Sequence, residues 1–202
     1  MSTPHIDVYA DPICPFTWVT SRWLAGVSER GDARVTWRLM SLAVLNEGQD
    51  ADGAQAEKLE LSRRVGRLVA AATGTDDMGG LYMALGRRLH VEGLDLTDDV
   101  ARAALTECGL DPTLTPALDD PRWDGAVRGS HRQSQDTLGD SGGSPITAID
   151  GQAFFGPVLT DIPGTDEAIR LFKAVTTLAT SPAFAQVERP RWGPPNTQEP
   201  AV

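Results

Sequence analysis

Cysteine is scarce in this chain of 202 residues, which holds two, and so is lysine, present only as Lys58 and Lys173. Two cysteines do not make a disulfide framework. The opening Met1-Ser2-Thr3-Pro4 passes directly into a strand pattern, without a basic or apolar leader. The expectation is a cytoplasmic protein with reduced thiols. No apolar stretch approaches the roughly 20 residues that cross a bilayer, so no membrane association is expected. Positive charge is also short, with 18 Lys and Arg against 28 Asp and Glu and a formal net charge of −10. That balance argues against a nucleic-acid surface or attraction to anionic lipid. No His, Cys, Asp and Glu cluster has metal-ligand spacing, and no Gly-rich dinucleotide fingerprint follows a strand. Neither a metal nor a tightly bound flavin or nicotinamide is expected.

What is present is enough apolar residue, 41%, for one substantial core. Residues 5–9 alternate as a short strand, and Asp11-Pro12 breaks it. From Pro15 to about residue 30, Phe16, Val19, Trp23, Leu24 and Val27 recur at helical spacing. Residues 35–40 read as a second strand, so the opening is β-α-β with a parallel pair. Between residues 54 and 137 the pattern is helical: one helix about 59–69, another about 81–89, a third from Asp98 to Cys108 capped by Thr97, and a last one at 119–138. Strand character returns at 145–149 and 152–155 around an Asp150-Gly151 hairpin turn, then a helix at 166–178. The expected architecture is α/β. Residues 1–53 and 138–185 form one discontinuous domain, 54–137 an all-helical insertion, and 186–202 an extended or mobile tail.

The chemistry centres on Cys14, in Asp11-Pro12-Ile13-Cys14-Pro15-Phe16-Thr17-Trp18. A thiol attacks as thiolate, so reactivity depends on a lowered pKa. The first turn of a helix offers unpaired N–H groups and partial positive charge. Pro15 suits the first helical position, and Thr17, three residues on, can donate a hydrogen bond to the sulfur. These local features leave open a buried structural cysteine, since free cysteine behaves as a small hydrophobe. Cys108, at a helix end with no cap or basic neighbour, reads as structural. His131 on a charged helix reads as a solvated surface residue, and His5 and His90 have less support still. Trp18 fits a core position as well as a site wall.

The run resembles the active-site turn of the DsbA-like branch of the thioredoxin superfamily, where Cys-Pro-x-Cys opens the first helix. More closely, Asp-Pro-x-Cys-Pro-x-x-Trp with Thr20-Ser21-Arg22-Trp23-Leu24 resembles the actinobacterial mycothiol-dependent nitroreductase family. Met40-Ser41-Leu42-Ala43-Val44-Leu45-Asn46-Glu47 and Phe154-Phe155-Gly156-Pro157-Val158-Leu159 are similar to later motifs of that family. The resemblance spans residues 7–160 and implies a thioredoxin fold carrying the helical insertion. It also implies that Ser144–Pro145 is a cis-proline turn facing Cys14, with the Ser144 backbone offered to a thiol ligand. Pro15, Phe16 and Asn46 complete the implied thiol-binding set, with Cys14 and Thr17 catalytic.

One departure matters. Members of the family carry a second cysteine where this chain has Thr17. The Cys-Pro-Phe-Thr motif therefore implies a monothiol oxidoreductase, in which a low-molecular-weight thiol such as mycothiol regenerates Cys14 by exchange. The implied partners are that thiol, a small electrophilic or disulfide substrate, and a mycoredoxin-type reductant; a homodimer is compatible. Two other readings stay open. One is a kappa-type thiol S-transferase or isomerase, with Cys14 donating a hydrogen bond to the cosubstrate's thiol. The other is a non-catalytic thiol-binding protein.

Overall fold

β1 (His5–Ala10) is paired on both edges and buries Ile6, Val8, Tyr9 and Ala10, so it is an interior strand of the sheet. The computed structural model describes residues 3–74 and 77–198. α1 (Pro15–Glu29) crosses over to β2 (Arg34–Leu39), which runs parallel to β1 with Val8 opposite Trp37. α1 packs Trp18, Val19, Trp23, Leu24 and Val27 inward, the apolar stripe its spacing predicts.

α2 (Leu42–Leu45) is a single turn, capped by Ser41, whose hydroxyl accepts from the N–H of Val44 at 3.2 Å. α3 (Gly53–Thr73) follows, with Val65, Leu68 and Val69 buried. α4 (Gly79–Gly86) does not run on as one α-helix to residue 89. It widens at Arg87–Val91 into a π-helical turn. α5 (Asp98–Glu107) starts on Thr97, whose side chain accepts from the N–H of Val100, and the chain turns away at Gly109, with φ of 68°. The continuous helix expected from residue 119 is replaced by 3-10 segments, Pro112–Asp119 and Pro121–Trp123, before α6 (Asp124–Leu138). Pro121 has no N–H to give, and the Asp120 carboxylate captures the N–H of Arg122 at 3.0 Å, so the local turn wins over the helix.

β3 (Ile146–Ile149) then lies antiparallel on the other edge of β1, and β4 (Gln152–Phe155) closes the order β2-β1-β3-β4. Asp150 and Gly151 have φ of 48° and 83°, the positive pair a two-residue I′ hairpin demands. α7 (Thr165–Ala179) lays Phe172 edge-on against Trp23, whose indole N–H donates to the Ala168 carbonyl at 3.1 Å. This is a thioredoxin fold of the DsbA-like kind, with helices between its β-α-β and β-β-α halves.

The large hydrophobic cluster takes residues from both sheet and helices, and Tyr9, Met40 and Ile146 form a second, small one. Trp37 of β2 stacks on Tyr82 of α4 with ring centres 5.3 Å apart, and Leu68, Leu85 and Leu105 join the same core as Val8 and Trp18. Gly86 marks how tightly α4 meets α1. A Cβ there would lie 2.4 Å from the Trp18 ring. Gly86→Ala is expected to lower stability by about 1–3 kcal/mol through overpacking, read as a lower urea midpoint at unchanged slope.

Residues 186–198 form no helix or strand, yet this segment is fastened. The N–H of Asn196 donates to the Thr160 carbonyl at 2.8 Å, and the Thr197 hydroxyl donates to the His90 carbonyl at 2.8 Å. The Trp18 indole N–H reaches the Thr197 carbonyl at 3.2 Å. Among the described residues, no helix is long and apolar enough to cross a membrane.

Candidate active site

Asp11 to Cys14 form a tight turn at the end of β1, closed by the N–H of Cys14 donating to the Asp11 carbonyl at 3.0 Å. Cys14 is extended and N-caps α1, with Pro15 at the first helical position, so its sulfur lies at the positive end of a 15-residue helix. Ser144, brought beside it by the chain leading into β3, is the hub of the site. Its carbonyl accepts from the Cys14 thiol at 3.7 Å. Its hydroxyl oxygen accepts from the N–H of Asp11 at 2.9 Å and lies 2.8 Å from the Thr17 hydroxyl. The Ser144–Pro145 peptide is cis, and the Pro145 carbonyl accepts from the N–H of Gly156 at 2.8 Å. Thr20 of α1 donates to the Pro157 carbonyl at 2.8 Å, so the first and last of the recognised sequence motifs are in contact.

The structure reverses the sign expected for the Cys14 pKa. Cys14 is only 8% exposed, and burial pushes its thiol above the ordinary cysteine range. The Thr17 hydroxyl and the N–H groups of Thr17 and Phe16 pull it down, while the Asp11 carboxylate adds to the rise. Helix-head donors are present, as the sequence indicates, but desolvation outweighs them. A raised folded-state pKa means that Cys14 favours folding below its unfolded pKa, and that this contribution fades as pH rises through the folded value. Iodoacetamide should therefore alkylate Cys14 in the free protein with a midpoint above that of an unfolded cysteine peptide. A midpoint below it would overturn this electrostatic account.

Sequence reasoning treats Asp11 as a strand breaker and passes over its side chain. The carboxylate is 1% exposed and accepts from the N–H of Ile13 at 3.0 Å, the N–H of Leu42 at 2.7 Å and the Ser62 hydroxyl. It thereby ties the cysteine turn to the start of α2 and to α3. Burial raises its own pKa against the lowering by those three donors. The presence of Asp ahead of the motif proline is the one signal that could have marked it. His90 is the second omission. From the π-helical turn its Nε2 lies 2.8 Å from the Pro12 carbonyl, and its ring faces Trp18 at 5.7 Å. Burial lowers its pKa, so the ring is neutral and Nε2–H is the donor.

Other expected residues fall less centrally. Asn46 is the C-cap of α2, donates its side-chain amide to the Leu42 carbonyl at 2.7 Å, and makes no hydrogen bond to Cys14, Thr17 or Ser144. Pro15 and Phe16 are half-buried at the mouth, with the Arg191 guanidinium 5.3 Å over the Phe16 ring. Trp18 is core. His131, expected on the surface, is 8% exposed on the face of α6 that also buries Val127 and Ser134. Its Nδ1 has no hydrogen-bond partner among the described residues, and burial lowers its pKa. Cys108 is free, half-buried at the end of α5, with its thiol pKa raised by burial. No group of three or more potential metal ligands occurs among the described residues.

The family described as Rv2466c-like, mycothiol-dependent nitroreductase Rv2466c, matches residues 13–189. The chain belongs to this family. As a member of it, the protein is a thiol-dependent oxidoreductase on a DsbA-like fold. It is similar to the uncharacterized protein Rv2286c of Mycobacterium tuberculosis (strain ATCC 25618 / H37Rv), with 32% identity over 194 residues, 92% of this chain and 82% of that protein. Among solved structures, a 2-hydroxychromene-2-carboxylate isomerase matches with TM-score 0.59 and 14% identity, over 86% of this chain and 95% of its own. A probable DsbA oxidoreductase from Streptomyces coelicolor matches with TM-score 0.54 and 18% identity, over 95% and 97%. The cytosolic disulfide reductase DsbM from Pseudomonas aeruginosa gives 0.53 and 19%, over 85% and 98%. These structural likenesses show the fold.

Proposed function

We propose that this member of the family works with one thiol. Cys14 is the nucleophile, mycothiol or a similar small thiol is the cosubstrate, and a small electrophile or disulfide is reduced. The observation that carries the reading is the hydroxyl of Thr17 at the place of a resolving sulfur, 2.8 Å from the Ser144 hydroxyl and one of the groups that pull the Cys14 pKa down. In exchange, the Cys14 thiolate attacks a disulfide sulfur, one thiolate leaves, and a mixed disulfide remains on Cys14. A second small thiol attacks that bond, leaves as disulfide and restores the thiolate. Each turnover consumes one small thiol, releases one thiol of the substrate disulfide, and passes the disulfide from substrate to cosubstrate. A mycoredoxin-type protein can take the place of the second thiol. The Ser144 backbone and the half-buried Pro15 and Phe16 form the thiol groove, with Asn46 at its far side. Residues 54–137 supply its lid and apolar wall, and the cytoplasm supplies the reduced thiol pool.

A second reading draws support from the raised thiol pKa. A protonated Cys14 can donate to the thiolate of a bound cosubstrate, as in a kappa-type thiol S-transferase or isomerase. Incubation with mycothiol disulfide, followed by intact mass and turnover, separates the readings. Wild type is expected to carry one mycothiol on Cys14; Cys14→Ser should carry none and lose at least about 100-fold in turnover. Retained turnover in Cys14→Ser would establish the transferase reading. A wild type that forms no adduct and turns over no thiol-coupled acceptor would leave a binding protein.

A further inference from the structure

Residues 190–198 reach the active site from the far end of the chain. Pro190, Pro194 and Pro195 each fix one backbone angle, and the stretch forms no helix or strand. Hydrogen bonds nonetheless seat it on three elements around the cysteine turn. The Asn196 N–H and side-chain amide donate to the Thr160 carbonyl at 2.8 Å and to the Asp161 carboxylate at 3.3 Å. The Thr197 hydroxyl and the Gln198 side-chain amide donate to the carbonyls of His90 and Val91, at 2.8 and 3.4 Å. The Thr197 carbonyl in turn accepts from the Trp18 indole of α1 at 3.2 Å. His90 also holds the Pro12 carbonyl, so the segment connects through one residue to the turn that carries Cys14.

Apolar burial does not explain why the segment lies there. Trp192 is 93% exposed and Val187 76%, so these large apolar side chains stay in water. What the segment brings to the site is a charge. The Arg191 guanidinium lies 5.3 Å over the Phe16 ring, a cation–π contact. Phe16 is two residues past Cys14, and its N–H is among the groups that pull the Cys14 pKa down. The ring under the guanidinium therefore belongs to a residue that faces the sulfur. Elsewhere in the chain Arg64, Arg67, Arg88 and Arg128 each pair with a carboxylate. Arg191 pairs with none among the described residues. A ring face is no carboxylate, so the planar donor fork keeps its capacity for an oxyanion. The Asp11 carboxylate, the opposing charge near the sulfur, is 1% exposed and engaged by Ile13, Leu42 and Ser62 inside the protein.

We propose that Arg191 is a specificity-determining residue of the Cys14 site, meeting the negative group of an anionic electrophile or disulfide as it approaches the sulfur. The inference rests on the reading of Cys14 as nucleophile, and it narrows the substrate to the anionic class. The probes are iodoacetate, which is anionic, and iodoacetamide, its neutral counterpart. Each alkylates the full chain at one pH and low ionic strength, and the rate at Cys14 is read by peptide mass. The ratio of the two rates cancels thiolate fraction and general access, so it reports selection by charge. Arg191→Gln is expected to lower the iodoacetate-to-iodoacetamide ratio about threefold, the scale of an exposed charge contact. Salt at about 1 M should abolish that difference from wild type. Arg189→Gln removes an equal charge two residues away and should leave the ratio at the wild-type value. Unchanged thermal midpoints verify both folds. An Arg191→Gln ratio equal to wild type, an equal fall in Arg189→Gln, or a fall that persists in high salt overturns the assignment. The single-thiol reading then still stands, because the mycothiol adduct decides it. If neither reagent alkylates Cys14 in wild type, the assignment falls together with Cys14 as nucleophile.

Discussion

Thr17→Cys is expected to abolish accumulation of the mixed disulfide on Cys14. Positions three apart on the first turn of a helix lie about 5–6 Å apart between Cβ atoms, and modest side-chain adjustment brings two sulfurs to bonding distance. The introduced thiol shares the N–H-rich helix head and has the Cys14 sulfur as its neighbour. Attack on the mixed disulfide becomes intramolecular, with an effective concentration far above that of any free thiol. Release of mycothiol from the variant should be at least about 100-fold faster than from wild type at equal free thiol. Intact mass would show the change directly: the adduct disappears, and a protein lighter by two hydrogens takes its place. If the adduct persists with its wild-type lifetime, Thr17 does not stand in the resolving position and the single-thiol reading fails.

Asp11 carries the second large effect. Asp11→Ala strips an acceptor from the N–H groups of Ile13 and Leu42 and from the Ser62 hydroxyl. A buried donor left unpaired costs about 1–3 kcal/mol, so the variant should lose about 3 kcal/mol or more in a urea titration. Asp11→Asn keeps the shape and removes the charge beside the thiolate. It should move the alkylation midpoint of Cys14 downward, because the Asp11 carboxylate contributes to the raised value. The pH dependence of stability has a defined sign. Asp11 is raised by burial, so it favours folding below its unfolded pKa and loses that contribution as pH rises through the folded value. Only wild type suffers the loss, so the stability gap between it and Asp11→Asn should narrow as pH rises across that window. An alkylation midpoint that stays put in Asp11→Asn would detach Asp11 from the chemistry and leave it a purely structural brace.

The strands and most helices are legible because their causes are local. The Asp150-Gly151 turn, the Thr97 cap and the stripe on α1 each depend on a few neighbouring residues. The pairing of Cys14 with Ser144 follows from ordered motifs and their resemblance to a family, not from any periodicity. The rest depends on distance. The partners of Asp11 lie 31 and 51 residues away, and His90 meets Pro12 across 78. No window of sequence contains both ends of those bonds. The direction of the Cys14 pKa is illegible for the same reason. Helix-head donors can be read from position, whereas desolvation comes from elements that assemble around it. At residues 119–123, a helical pattern conflicts with Pro121 and the Asp120 side chain, and the shorter-range preference prevails.

The Ser144 hub has a consequence for the life of the chain before it is folded. Ser144 stands 130 residues from Cys14, and the contact between Trp18 and the Thr197 carbonyl spans 179. Contacts of such separation form only when the chain as a whole closes. Until then Cys14 is an ordinary exposed thiol, more acidic than in the finished protein and open to stray oxidants. Folding itself is what sheathes it. The same burial that disfavours its ionisation also limits which partners can reach it, so the fold acts as the first filter on what this sulfur ever touches.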